Sequence, residues 1–281
     1  MEEKELKALV SLLDEEDENI LGHVEQKIRS LGDRIIPVLE KEWERNLNPV
    51  VQERIENIIH SLQFENLKEK LTEWSEEEEP ELLDGLFLVA KYQYPDLEYQ
   101  LLTDKLNDIY LDTWLLFKDN MHYYDQIRTL NSIFFNKYKF SGNTKNFHSP
   151  TNSFINAVLE SGKGNPILLC SIYMIVANRL NIPLYGVNLP NLFILMYKNK
   201  QTEFYLNVFN RGLIFREEDI DNYLENIHVP KKPEYYQPCT NKDIIKRVLR
   251  NLIMAFESLE DQEKTEEIRE LLQIFMPLPG L

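Results

Sequence analysis

Asn165-Pro166 opens a run, Ile167 through Leu180, that is apolar on nearly every face. Asn is a good N-cap and Pro suits the first helical position, so the pair marks a helix start. A helix without a polar stripe has to be covered on all sides, which predicts a central, buried helix. Beyond Asn181-Ile182-Pro183 come short runs rich in β-formers: Leu184 to Leu189, Phe193 to Tyr197 and Phe204 to Phe209. Lys198-Asn199-Lys200-Gln201 reads as the hairpin turn between the last two. A buried helix followed by an antiparallel sheet is an α+β core.

Before this core the apolar positions keep helical spacing. Up to about Trp74 they run Leu6, Leu9, Val10, Leu13, then Ile20, Val24, Ile28, Leu31, then Ile35, Ile36, Leu39, Trp43, then Val51, Ile55, Ile58, Leu62. Four short amphipathic helices are expected, broken at Gly32-Asp33 and Asn48-Pro49. Val24-Glu-Gln-Lys-Ile28 echoes Val51-Gln-Glu-Arg-Ile55, as two stacked HEAT-like hairpins would, and a generic helical bundle gives the same pattern. Ser75-Glu76-Glu77-Glu78-Glu79-Pro80 reads as a junction in which Ser75 caps the next helix. Helical patterns continue over Leu82 to Ala90, Leu97 to Trp114 and Tyr124 to Phe135. After the sheet, Asp243 to Leu259 and Lys264 to Phe275 read as an amphipathic hairpin. The expected domains are therefore 1–75, 76–240 and 241–281.

Formal net charge is -16, so the average surface repels phosphate backbones and anionic lipid. Nucleic acid and membrane are not expected partners. No apolar run reaches the roughly 18–20 residues that span a bilayer, and Met1-Glu2-Glu3-Lys4-Glu5 lacks the start of a secretory signal. With only Cys170 and Cys239 a disulfide framework is not expected, and the cytoplasm is the expected compartment. His23, His60, His122, His148 and His228 show no paired ligand spacing, so no metal or other cofactor is expected. Gly162-Lys163-Gly164 lacks the spacing of a phosphate-binding loop. Tyr235-Tyr236, flanked by prolines, is a candidate groove or partner anchor.

A longer series of motifs carries a family resemblance. It runs from Leu130-Asn131-Ser132-Ile133-Phe134-Phe135 through Asn152-Ser153-Phe154-Ile155-Asn156 and Val158-Leu159-Glu160 to Lys163-Gly164-Asn165-Pro166-Ile167. It continues with Ala177-Asn178-Arg179-Leu180, Gly186-Val187-Asn188-Leu189-Pro190 and Phe209-Asn210-Arg211-Gly212. Over about residues 80–275 the chain resembles the transglutaminase-like group typified by the bacterial SirB proteins. Ile245-Lys246-Arg247-Val248-Leu249-Arg250-Asn251-Leu252 is similar to the start of that group's tetratricopeptide-like tail. The resemblance implies a papain/transglutaminase-like core, flanked by the HEAT-like helices and the C-terminal helical hairpin.

In active members of this fold a Cys opens the central helix, and His and Asp follow on adjacent strands. The helix N-terminus and a protonated imidazole stabilise the thiolate, and the third residue orients the imidazole. By the resemblance those positions fall on Pro166, Leu192 and Asn207. Neither proline nor leucine can move a proton. Cys170, four residues after Pro166, is the substitute nucleophile to weigh. It lies about 6 Å deeper along the helix, in apolar company where a thiol's pKa rises. His148 is the best candidate base. Asn152, Asn165, Asn191, Asn210 and Arg211 are candidates to line a groove. The expected function is a non-catalytic protein-interaction module with another protein as partner. The alternative is a cysteine-dependent acyl-transfer or peptide-bond enzyme using Cys170, and a third reading places all function in the N-terminal helices. Oligomeric state is left open.

Overall fold

The computed structural model describes residues 8–15 and 17–276. Leu6, expected to begin the first apolar stripe, lies outside them. The chain divides into two compact units, one ending at Lys70 and one starting at Leu71.

In the first unit, residues 8–11 are helical and are followed by α1 (Glu18–Arg29), α2 (Ile36–Arg45) and α3 (Pro49–Glu76). The Asp17 carboxylate caps α1 by accepting from the Asn19 amide at 2.9 Å. Val10, Val24, Ile28, Leu39, Ile55 and Ile58 fill the core, as the helical spacing requires. Arg54 ties α3 to the turn before α1 by donating to the Leu13 and Glu15 carbonyls. The fourth helix is longer than expected. No glycine or proline stands between Pro49 and Pro80, and the buried stripe continues through Leu67, Leu71 and Trp74. Ser75 is therefore not the cap of the following helix. It sits in the last turn of α3, where its hydroxyl donates to the Thr72 carbonyl at 2.8 Å.

The second unit takes in the last turn of α3 from Leu71, then α4 (Leu82–Gln93), α5 (Tyr99–Trp114) and α6 (Tyr123–Asn131). A π-helical turn over Ser132–Lys137 extends α6. Two two-residue strands, β1 (Ser141–Gly142) and β2 (Lys163–Gly164), pair in parallel on either side of α7 (Ile155–Ser161). The central helix α8 is Pro166–Arg179, with every residue from Ile167 to Met174 buried, then Val176 and Ala177. It packs against a four-stranded antiparallel sheet in the order β3 (Leu184–Leu189), β4 (Leu192–Lys198), β5 (Glu203–Asn207), β6 (Leu213–Phe215). Thus the expected α+β core is present, with one strand more than the apolar runs indicated.

Side chains alternate across a strand, so the register sorts this sheet into two faces. Cross-strand partners Asn188 and Phe193, Gly186 and Leu195, and Leu195 and Leu206 share the face turned to α8. The opposite face carries Val187, Leu189, Ile194, Met196 and Tyr205, and α9 (Glu217–Asn226) covers it with Ile220 and Leu224. This second layer was not foreseen, because Glu217 to Asn226 is mostly polar and presents only two fully buried residues. Tyr235 and Tyr236 pack against the same cluster, and the Tyr236 hydroxyl donates to Asp221 at 2.6 Å. The chain closes with α10 (Asn241–Ser258) and α11 (Gln262–Gln273), an antiparallel hairpin whose first helix also packs on α4 and α8. Among the described residues no helix is long and apolar enough to cross a membrane.

Candidate functional site

The start of α8 opens onto a cleft of about 360 Å³, the floor of which is Pro166, Ile167 and Phe193. Asn165 fixes this end of the helix. Its side-chain oxygen accepts from the Leu168 amide at 3.0 Å, while its amide nitrogen donates to the Ser153 hydroxyl at 2.8 Å. Both polar atoms are thus satisfied although the residue is buried.

One wall is the loop carrying Phe147, His148 and Ser149. Asn152 holds that loop from behind. Its amide nitrogen donates to the Asn146 and Phe147 carbonyls at 2.8 and 3.0 Å, and its oxygen accepts from Asn143 at 2.8 Å. Asn191 borders the cleft from the β3–β4 turn, where it adopts a left-handed φ of 56° that asparagine tolerates better than most residues. Another wall is one side of α10, with Arg247, Asn251, Met254 and Ala255. Arg247 Nη1 donates to the Asn188 side-chain oxygen at 2.9 Å and to the Leu189 carbonyl at 3.3 Å. Burial lowers this guanidinium's pKa, and neighbouring Arg250 acts in the same direction.

The expected site residues are distributed unequally. Pro166, Asn165, Asn191 and His148 line the cleft, and Asn152 supports it. Leu192 does not join Pro166 at the helix start. It packs with the cluster beneath α9, on the sheet face turned away from α8. Asn207, cross-strand from Leu213, shares that face by the same alternation, and its side-chain oxygen accepts from the Asn210 amide at 3.0 Å. Asn210 and Arg211 belong to this turn and not to the cleft. Arg211 instead donates to the Asn136 side chain at 2.9 Å and lies over the Phe135 ring. Alternate residues of a strand face opposite ways, so Phe193 lines the cleft while Leu192 beside it does not.

Cys170 is fully buried, and its Sγ donates to the Phe193 carbonyl at 3.4 Å. Burial drives its pKa well above the ordinary thiol value, more than hydrogen bonding to Val208 lowers it. The Cys239 thiol is pushed up to about 12, chiefly by burial and then by Asp243. At the cleft, the Ser149 hydroxyl pairs with Thr151 and the Ser153 hydroxyl accepts from Asn165, and the hydrogen bonds found for these two hydroxyls do not include His148. No group of three or more His, Cys, Asp or Glu side chains among the described residues could hold a metal ion. Arg247, Asn251 and Met254 were missed by sequence reasoning. Their spacing of four and three residues on one helix was the available signal.

A buried helix whose first turn faces a cleft, packed on an antiparallel sheet, defines the class of papain- and transglutaminase-like folds. The chain belongs to the transglutaminase-like superfamily, whose profile matches residues 100–250, and it is of the SirB type. A UPF0162 protein of Xylella fastidiosa (strain 9a5c) is 31% identical over 181 residues, 61% of this chain and 63% of that protein. The chain thus spans less than two thirds of that relative's length. Protein SirB1 of Salmonella typhimurium is 23% identical over 70% of this chain and 74% of its own length. F-box only protein 21 of Mus musculus is 23% identical over 53% of this chain and 25% of its own length. No solved structure matches the chain.

Proposed function

We propose that this chain is a non-catalytic, cytoplasmic member of its family, and that the cleft at the start of α8 binds an extended segment of another protein. The observation that carries the reading is the separation of cleft and thiol. Pro166 stands at the open helix start, whereas Cys170 is fully buried and its pKa is raised. A thiol nucleophile needs a lowered pKa and access, and Cys170 has neither. What the cleft offers is recognition chemistry: amides at Asn191 and Asn251, a cation at Arg247, and apolar surface at Phe147, Phe193 and Met254.

The test is alkylation of the folded full chain with iodoacetamide at neutral pH, followed by mass spectrometry, beside a transamidation assay with a glutamine peptide and a primary amine. Cys170 should label far more slowly in the folded than in the denatured chain, with no turnover. Rapid, selective labelling of Cys170 in the folded state, or turnover lost in Cys170→Ala, would restore the enzyme reading.

A further inference from the structure

The cation of the cleft has no anion among the described residues. The chain has 47 Asp and Glu against 31 Lys and Arg, so carboxylates are in excess, yet among the described residues Arg247 pairs with none. Its two protein acceptors are neutral oxygens, and both take hydrogen bonds from Nη1. Guanidinium has five N–H donors, so the edge formed by Nε and Nη2 remains for a planar, bidentate acceptor. The Asn188 and Leu189 contacts meanwhile hold the group in place, which lowers the ordering cost of recognition. Arg250, one turn along, is exposed and does not line the cleft, so Arg247 is the cation that borders it.

We propose that Arg247 receives the C-terminal carboxylate of a peptide whose last side chain is apolar and lies against Phe193 and Met254. This rests on the reading of the cleft as a peptide-binding groove. A single guanidinium flanked by the neutral amides of Asn191 and Asn251 matches the single charge of a carboxylate, and a phosphate dianion would call for more cations. Phe147, Ile167, Phe193 and Met254 give the apolar surface that the side chain beside such a carboxylate requires. Met254 is 60% exposed, so covering it removes apolar surface from water.

The test uses N-acetyl-L-leucine, N-acetyl-L-leucinamide and the α-amide of N-acetyl-L-glutamate as probes. Methyl NMR shifts of Met254 and Ile167 in the full chain are the readout. N-acetyl-leucine should give saturable shifts that its amide does not. Arg247→Met should weaken binding about tenfold or more, as loss of a charge partner does. Because Arg247→Met also removes two protein hydrogen bonds, Asn251→Asp is the second variant. It leaves those bonds intact and should weaken the same probe by repulsion. Equal binding of leucinamide, or unchanged binding in Asn251→Asp, overturns the carboxylate assignment while leaving a peptide groove standing. Tighter binding of the glutamate α-amide overturns the assignment to a chain terminus. Hydrolysis of any probe amide overturns the binding reading itself.

Discussion

A cysteine nucleophile is made by its surroundings, and at Cys170 burial works against ionisation more strongly than the Val208 backbone favours it. The side chain is fully enclosed, it makes hydrogen bonds with backbone groups, and it sits one turn inside α8, past the helix end where the dipole would favour a thiolate. On the reading proposed above it packs the core, so its replacement is a question of volume and polarity. Cys170→Ala should cost about 1–2 kcal/mol in denaturant unfolding, from the small void left behind. Cys170→Ser should cost at least as much, because a hydroxyl is buried where the thiol's contacts to the Phe193 carbonyl and the Val208 backbone are spaced for the larger sulfur. Both variants should bind N-acetyl-L-leucine as the parent does. Loss of binding in a folded Cys170→Ser chain would mean the thiol takes part in function.

At the scale of elements, the most constrained segments were the most legible. All-round apolarity fixed α8, and β-rich runs fixed the hairpin that follows, because both patterns report burial directly. What escaped the sequence was orientation. Leu192 and Asn207 lie on adjacent strands, but which face they present depends on register, and register is settled by tertiary packing. Arg247 escaped for a related reason, since a cation on an amphipathic helix reads as solvent-facing until its neighbours are known. The 207–212 turn shows how closely such packing is specified. Gly212 has φ of 70°, and a Cβ there would run into the Asn131 amide, which accepts from the buried Tyr173 hydroxyl at 3.0 Å. Gly212→Ala should therefore destabilise the chain by about 2–3 kcal/mol, combining left-handed strain with a displaced hydrogen bond. Chemical denaturation measures it, and a change of a few tenths of a kcal/mol would show that the turn yields freely.

For the whole molecule, the pattern of shifted ionisations predicts an asymmetric response to pH. Burial, then Glu203 and Glu217, pushes Tyr205 up to about 12 from an ordinary 10.0, and Cys239 rises to about 12 from 9.0. Tyr173, enclosed in the core, shifts in the same direction through burial. A group whose folded-state pKa is raised gives up its proton first in the unfolded chain. Its contribution to stability is complete below the unfolded pKa and is lost as pH rises toward the folded one. The melting temperature should accordingly fall progressively from about pH 9 toward pH 12 as these groups titrate. General repulsion in a chain of net charge -16 lowers stability in the same range, so the parent profile alone does not identify the groups. Tyr205→Phe separates the two. It removes one hydroxyl bonded to the Tyr236 carbonyl, which should lower stability slightly at pH 7. It should also make the decline between pH 10 and 12 shallower than in the parent, whereas a slope equal to the parent's would assign the alkaline loss to net charge alone.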